Sequence, residues 1–315
     1  MPRFKNALAL IVATKDRPAE IARLLRSLNE QTHPADQVIV VDGGERPVQM
    51  VTEVYTASSL VYVRKLPPSA SGQRNEGVSH VWAGITLTGF MDDDAVLEPK
   101  ALENMLRFWE SPPAGVGGAA FNMSNHPLLY ASRLKRSVLA KRLGLYGDER
   151  GKVLPSGFQT MIGRVTEDVF VEWLPSGAAV WMSSILGTFQ FDEWYEGYSY
   201  LEDLDFSYRV GKAFRLAVVA DALYFHYPAS SGRGDGFVFG RREVRNRLYF
   251  VGKNRELSMA RCRMALLART AMSFFLFVRE RKRTYLDRAA GNFLELLGTG
   301  SRRETRPPTK IAHVD

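Results

Sequence analysis

A chain of 315 residues, 45% hydrophobic and 24% charged, has the composition of a folded protein with one large core or two smaller ones, which excludes disorder as its main state. Its single cysteine, Cys262, excludes an internal disulfide framework and suits a reducing compartment. The net charge of +8 is unevenly spread: residues 241–283 hold 13 Lys/Arg against 3 Asp/Glu, so the rest of the chain sits near −2 and any partner for positive charge belongs to that segment.

Residues 8–13 (LALIVA) are predicted to be a fully buried strand of a sheet covered on both faces. The apolar run there is too short for a signal peptide. Pro18 suits the first turn of a helix, and Ile21, Leu24, Leu25 and Leu28 continue it at helical spacing. A second strand, Gln37 to Val41, stops at Asp42-Gly43-Gly44. A weaker helix over 48–55 leads to a third strand over 60–64. After Pro67-Pro68, a helix is predicted over 73–81, and a fourth strand over 85–91 runs into Asp92-Asp93-Asp94.

Residues 112–165, rich in Pro, Gly and basic side chains, show no regular period. Residues 172–185 read as strand material around a turn at Pro175-Ser176-Gly177. Helix is predicted over 201–210, a short strand over 217–220, and helix again from Phe237 with a break near Gly252. No run approaches the roughly 20 apolar residues of a spanning helix. The nearest, 264–278, is interrupted by Arg269. Strands alternating with helices predict an α/β protein with a Rossmann-like, mostly parallel sheet flanked by helices and a helical basic C-terminal extension. Ligands of such sheets bind beyond the carboxyl ends of the strands, where Thr14 to Arg17, Asp42 and Asp92 to Asp94 all fall.

Three adjacent carboxylates repel one another, so a fold that keeps them offsets their charge with a cation or a positive partner. Oxygen ligands favour Mg²⁺ or Mn²⁺. In an extended segment Asp92 and Asp94 point the same way and are able to share a metal and nucleotide, with Asp93 turned elsewhere. The alternative is an acidic turn capping the next helix. Asp42 is either a turn residue before two glycines or a hydrogen-bond acceptor for a base or ribose. Arg74 either reaches a phosphate at a helix N-terminus or is simply solvated. Glu202, Asp203 and Asp205 suit a helix N-terminus on dipole grounds, and one of them is equally able to act as a general base. His226 is a core histidine or a metal ligand.

Five segments, in order, resemble the family 2 inverting glycosyltransferases of bacterial cell-surface polysaccharide synthesis, which share the GT-A fold. They are LIVATKDRPAEIARLLRSLNEQT, VIVVDGG, GQRNEG, FMDDDAVLEP and SGAAVWMSS…FDEWYEGYSYLEDLDFSYRV. The resemblance implies that Asp42 and the Thr14, Lys15 and Arg17 loop hold the nucleoside. Arg74, Asp92 and Asp93 then face the donor, and Asp92, Asp94 and His226 hold Mn²⁺ or Mg²⁺. It makes Asp203 the catalytic base and puts Glu202, Trp181 and Gly177 on the acceptor side. Gly43-Gly44 departs from the family's usual small polar pair, and 122–170 has no clear counterpart.

The implied organisation is a catalytic domain over 1–236, with a donor half (1–110) and an acceptor half (111–236). A helical basic region over 237–298 and a flexible tail over 299–315 follow. The expected partners are a UDP- or dTDP-sugar donor and a glycan or glycolipid acceptor; residues 241–283 read either as an amphipathic helix on an anionic membrane surface or as a solvated basic helix packed on the catalytic domain. The expected place of work is the cytoplasm, at the inner face of the plasma membrane. No nucleic-acid motif accompanies the basic segment. A sugar nucleotidyltransferase and a non-catalytic glycan-binding protein of the same fold are the rival readings.

Overall fold

The computed structural model describes residues 4–126, 138–228 and 235–298, and the expected tail at 299–315 lies outside them. The chain divides into two compact units. One comprises Met1–Ala131, Asp148–Val153 and Gln159–Gly232; the other comprises Ser132–Gly147, Leu154–Phe158 and Arg233–Asp315.

The first unit is an α/β layer structure. Its elements begin β1 (Leu8–Thr14), α1 (Pro18–Asn29), β2 (Gln37–Asp42), α2 (Gln49–Thr52), β3 (Ser59–Arg64), α3 (Ala70–Ser79) and β4 (Leu87–Asp92). They continue with β5 (Ala95–Leu97), α4 (Ala101–Glu110) and β6 (Val116–Met123); α5 (Val138–Arg142) belongs to the second unit. The first unit ends with β7 (Val169–Val171), β8 (Ala178–Met182), α6 (Ser183–Leu186), α7 (Glu202–Gly211) and β9 (Arg215–His226).

Among the described residues, nine strands form one sheet in the order β3-β2-β1-β4-β8-β6-β9-β5, with β7 also pairing β9. β1 through β4 are parallel, as the sequence pattern predicts. The antiparallel pairs all involve later strands, chiefly β8, which lies between β4 and β6. The result is a mixed sheet whose parallel half carries the first three strand-end loops.

β1 is buried because alternate side chains face two separate cores. Leu8, Leu10 and Val12 pack with Ile21, Leu24 and Leu25 of α1 and Leu102, Met105 and Leu106 of α4. Ile11 faces the other side, with Ile39, Phe90, Trp181, Phe206 and Val210.

Three elements differ from expectation. The helix carrying Arg74 starts at Ala70 because Ser69 caps it, accepting from the Gly72 N–H at 3.5 Å. The strand expected over 217–220 is twelve residues long, held by pairing along its length to β6, β7 and β5. β6 arises inside the segment that showed no period, where VGGAAF supplies small residues rather than an alternation.

The second unit is built on α8 (Gly236–Lys253), α9 (Met259–Glu280) and α10 (Arg283–Leu296). The break expected near Gly252 falls at 254–258, after which Ser258 caps α9 by accepting from the Arg261 N–H at 3.3 Å. Glu243 of α8, 1% exposed, accepts from Arg288 at 2.7 and 3.0 Å, Asn292 at 3.2 Å and Arg269 at 3.4 Å. Burial acts to raise the Glu243 pKa, but these two guanidiniums and the amide outweigh it and hold the carboxyl below its usual range. Among the described residues no helix is long and apolar enough to cross a membrane.

Candidate active site

Parallel register brings the functional loops to one edge of the sheet. Thr14 pairs with Asp42 across β1 and β2, and Ala13 pairs with Asp92 across β1 and β4. The chain therefore leaves all three strands at the same level, the carboxyl edge where α/β sheets bind ligands.

Asp93 clamps the loop after β1. It accepts from the Thr14 hydroxyl at 2.7 Å and from Arg17 Nη1 at 2.9 Å. Burial pushes its pKa up to about 6, with Asp94 adding to the rise and Arg17 and Thr14 opposing it. Lys15 points outward, exposed, and is not brought to the carboxylates.

Asp42, 0% exposed, is already saturated. It accepts from the Gly44 N–H at 2.7 Å, the Val48 N–H at 3.0 Å, the Tyr62 hydroxyl at 2.6 Å and Arg64 Nη1 at 2.7 Å. Burial acts to raise the Asp42 pKa, yet these four donors win and lower it. A base or ribose reaching Asp42 must therefore displace Tyr62 or Arg64 or be read through them. Sequence reasoning missed both residues. The signal was present in their i, i+2 spacing on β3, which puts both on the same face of a strand beside β2. The Gly44 departure also has a local cause: a Cβ there would meet Asp16 Oδ1 at 2.7 Å and its backbone nitrogen at 2.8 Å. Only a glycine lets the loops after β1 and β2 approach this closely.

Asp92, Asp94 and His226 converge, each offering one ligand atom within 4.8 Å of the others. β5 and β9 create this meeting: Ala95, next to Asp94, pairs with His226. His226 Nε2 lies 3.0 Å from Asp94 Oδ1. Asn125 holds the histidine backbone in place, accepting from its N–H at 2.9 Å and donating to its carbonyl at 2.8 Å. Two carboxylates and an imidazole, Asp94 buried and Asp92 and His226 partly open to solvent, fit a divalent cation such as Mn²⁺ or Mg²⁺ that retains water or phosphate positions.

Arg74 ties that cluster to the next part of the site. Nearly buried, it donates Nη2 to Asp92 at 3.0 Å and Nη1 to Glu202 at 2.6 Å, above the Phe191 ring. Its fork is thus used inside the protein, where the sequence pointed to a donor phosphate. Glu202 and Asp203 open α7, and Asp203 acts electrostatically on both Arg74 and Glu202. Burial, reinforced by Asp203 and Asp92, pushes the Glu202 pKa above the ordinary carboxylate range, against the pull of Arg74. The half-buried Asp203 accepts from the Leu204 N–H at 2.7 Å.

Two acceptor-side assignments change meaning. Trp181 is fully enclosed, packed edge-on against Phe206 at 4.9 Å between ring centroids, and has no surface to offer an acceptor. The resemblance alone puts Trp181 on the acceptor side, whereas β8 lies between β4 and β6 and buries the ring. Trp181→Ala is expected to cost about 3–5 kcal/mol in denaturant unfolding, through cavity formation. Gly177 faces Asp92: its carbonyl accepts from the Asp92 N–H at 2.8 Å, and an added Cβ would collide with the Asp92 carboxylate. Gly177→Ala is expected to move that carboxylate and cut turnover about 100-fold, with the unfolding midpoint nearly unchanged.

The sequence model of glycosyl transferase family 2 matches residues 9–167, half of the chain. The chain belongs to glycosyl transferase family 2. It is 31% identical over 106 residues to an uncharacterized glycosyltransferase of Haemophilus influenzae, a stretch covering 34% of this chain and 35% of that relative. The match thus spans about a third of the relative's length. Among solved structures, S. aureus TarS 1–349 in complex with UDP-GlcNAc is similar over 92% of this chain and 81% of its own, at 18% identity and TM-score 0.57. The longer S. aureus TarS chain is covered over only 42% of its length. Mannosyltransferase PcManGT from Pyrobaculum calidifontis, in complex with GDP-Man and Mn²⁺, is similar over 94% of this chain and 91% of its own, at 13% identity and TM-score 0.53. These likenesses are of fold, and the fold is GT-A.

In this family 2 chain the positions carrying the family resemblance form one connected group. Thr14 and Arg17 hold Asp93, Arg74 joins Asp92 to Glu202, and His226 meets Asp94. The segment before α7 is fastened to the start of α3: the Gly197 carbonyl accepts from the Ala70 N–H at 3.2 Å, and the Ser199 hydroxyl accepts from the Ser71 N–H at 3.4 Å. Ser199 and Leu201 adopt positive φ, 49° and 76°, so backbone strain is stored directly before Glu202.

Proposed function

We propose that this protein transfers a sugar, with inversion, from a nucleotide-diphosphate donor to a hydroxyl of a glycan or lipid-linked glycan in cell-surface polysaccharide synthesis. UDP and dTDP are the favoured nucleotides. The reading rests on one observation: Arg74 bridges Asp92, a member of the Asp92–Asp94–His226 cluster, to Glu202 at the head of the helix carrying Asp203.

Asp92, Asp94 and His226 are the residues that would hold Mn²⁺ or Mg²⁺, and the ion, when bound, would supply positive charge beside the leaving diphosphate. The remaining roles belong to the chain. Thr14 and Arg17 fix the loop that covers the nucleoside by holding Asp93, and Asp42 with Tyr62 and Arg64 forms the polar wall at the second strand end. Asp203 takes the proton of the acceptor hydroxyl as its oxygen bonds to the anomeric carbon. The bond from that carbon to the diphosphate oxygen breaks, and the nucleoside diphosphate leaves with the electron pair. Arg74 keeps Asp92 and Glu202 in register and its charge offsets the repulsion among Asp92, Glu202 and Asp203. A lipid-linked acceptor would place this reaction at the cytoplasmic face of the plasma membrane.

Incubation with a panel of nucleotide sugars, with and without acceptors, tests the proposal through the nucleotide released. Release of UDP, dTDP or GDP from one donor, accelerated by a glycan acceptor, is expected. Pyrophosphate-dependent formation of a nucleoside triphosphate would instead identify a sugar nucleotidyltransferase, although the Thr14–Arg17 loop lacks the glycines such an enzyme needs. Donor binding without turnover would mark a non-catalytic glycan-binding protein.

A further inference from the structure

The excess positive charge of 241–283 is not one surface. On α8, Arg247 is 2% exposed, donates to the Gly157 carbonyl and lies 4.4 Å over the Phe158 ring. Arg241 pairs with Glu295 at 2.9 Å, and Arg269 with Glu243 at 3.4 Å. These cations are spent inside their own helical unit. A different group stays at the surface. Arg279, Lys282 and Arg283, at the corner joining α9 to α10, have side chains 59%, 67% and 89% exposed, and Arg281 beside them is exposed too. Glu280, paired with Arg279 and Lys282, and Asp287, paired with Arg283, leave this corner with a cationic surplus.

Leading to that corner, α9 exposes a stripe of large apolar side chains. Met264, Leu267, Phe274, Phe275 and Val278 are 45–53% exposed. At 100° per residue they occupy one sector about 100° wide. Past the corner, α10 exposes Phe293, Leu294 and Leu297, again on one side of a helix. Water-facing phenylalanines at this density need a partner. A basic corner between two apolar stripes is complementary to one surface in particular: acyl chains beneath anionic headgroups. Neither helix is able to span a bilayer, so the hairpin would lie in its interface.

We propose that the exposed faces of α9 and α10 form an in-plane binding surface for an anionic lipid bilayer, with Phe274 and Phe275 entering the acyl region and Arg279, Arg281, Lys282 and Arg283 meeting the headgroups. The proposal is independent of the sugar-transfer reading. It replaces a general charge attraction of the whole basic segment with insertion by one hairpin.

Flotation of the full chain with vesicles of phosphatidylcholine alone, or of phosphatidylcholine with phosphatidylglycerol, tests it without any activity measurement. Binding is expected only with phosphatidylglycerol, weakened but not abolished by salt. Phe274→Ser with Phe275→Ser should reduce the bound fraction about tenfold or more at unchanged thermal stability, and R279Q/R281Q should raise the phosphatidylglycerol needed. Failure to float with anionic vesicles would overturn the proposal, as would equal binding by the double serine variant. A third overturning result is a dimer in light scattering that Phe274→Ser with Phe275→Ser converts to monomer without vesicle binding, since the stripe would then be covered by a second copy of the chain.

Discussion

Asp203→Asn is expected to lower turnover by about 10²–10⁴-fold, the usual contribution of a positioned general base. The substitution is nearly isosteric. An asparagine oxygen is still able to accept the Leu204 N–H that Asp203 accepts at 2.7 Å, so the first turn of α7 should persist. Donor affinity should stay within about twofold of the parent, because an interaction made only as the acceptor proton leaves does not contribute to ground-state binding. Turnover near the parent value would remove Asp203 from the role of base, and Glu202 is a poor replacement because Arg74 already holds it at 2.6 Å. Donor affinity falling together with turnover would instead mean that the substitution had disturbed the Arg74 bridge.

Chelation is expected to abolish transfer, and added Mn²⁺ or Mg²⁺ to restore it. Asp94→Asn should raise the metal concentration required by at least about 10–100-fold, the cost of disturbing even a residue that only supports a ligand. Metal titration against donor turnover checks both. Full activity in EDTA would reject the assignment of Asp92, Asp94 and His226. An unchanged metal requirement in Asp94→Asn, with chelation still inhibitory, would move the cation elsewhere.

How much of this was legible in the sequence varies by region, for physical reasons. The first four strands were readable because a parallel sheet covered on both faces needs continuous apolar runs, and LALIVA and QVIVV are such runs. Their carboxyl-end residues followed directly. β6 was not readable, since Gly117, Gly118 and two alanines give a strand made of small residues, with Gly118 making room for Trp181 and no alternation to detect. Asp92, Asp94 and His226 were singled out separately, but their meeting depends on β5 pairing with the far end of β9, a contact more than a hundred residues apart in sequence. Arg74 donates to Asp92 and to Glu202, and neither partner is visible in its local pattern. Local pattern gives the helix it sits on; the partner Glu202, 128 residues away, is a property of the fold.

Sugar transfer as proposed requires the carboxylates at the end of β4 and the histidine at the end of β9 to grip one divalent ion together with a nucleotide diphosphate. Titration of Mn²⁺ into the protein by electron paramagnetic resonance, with and without UDP, measures that grip directly. One bound ion per chain is predicted, held more tightly when UDP is present and at least about tenfold more weakly by Asp94→Asn. Equal Mn²⁺ binding by the parent and Asp94→Asn, indifferent to the nucleotide, would contradict it.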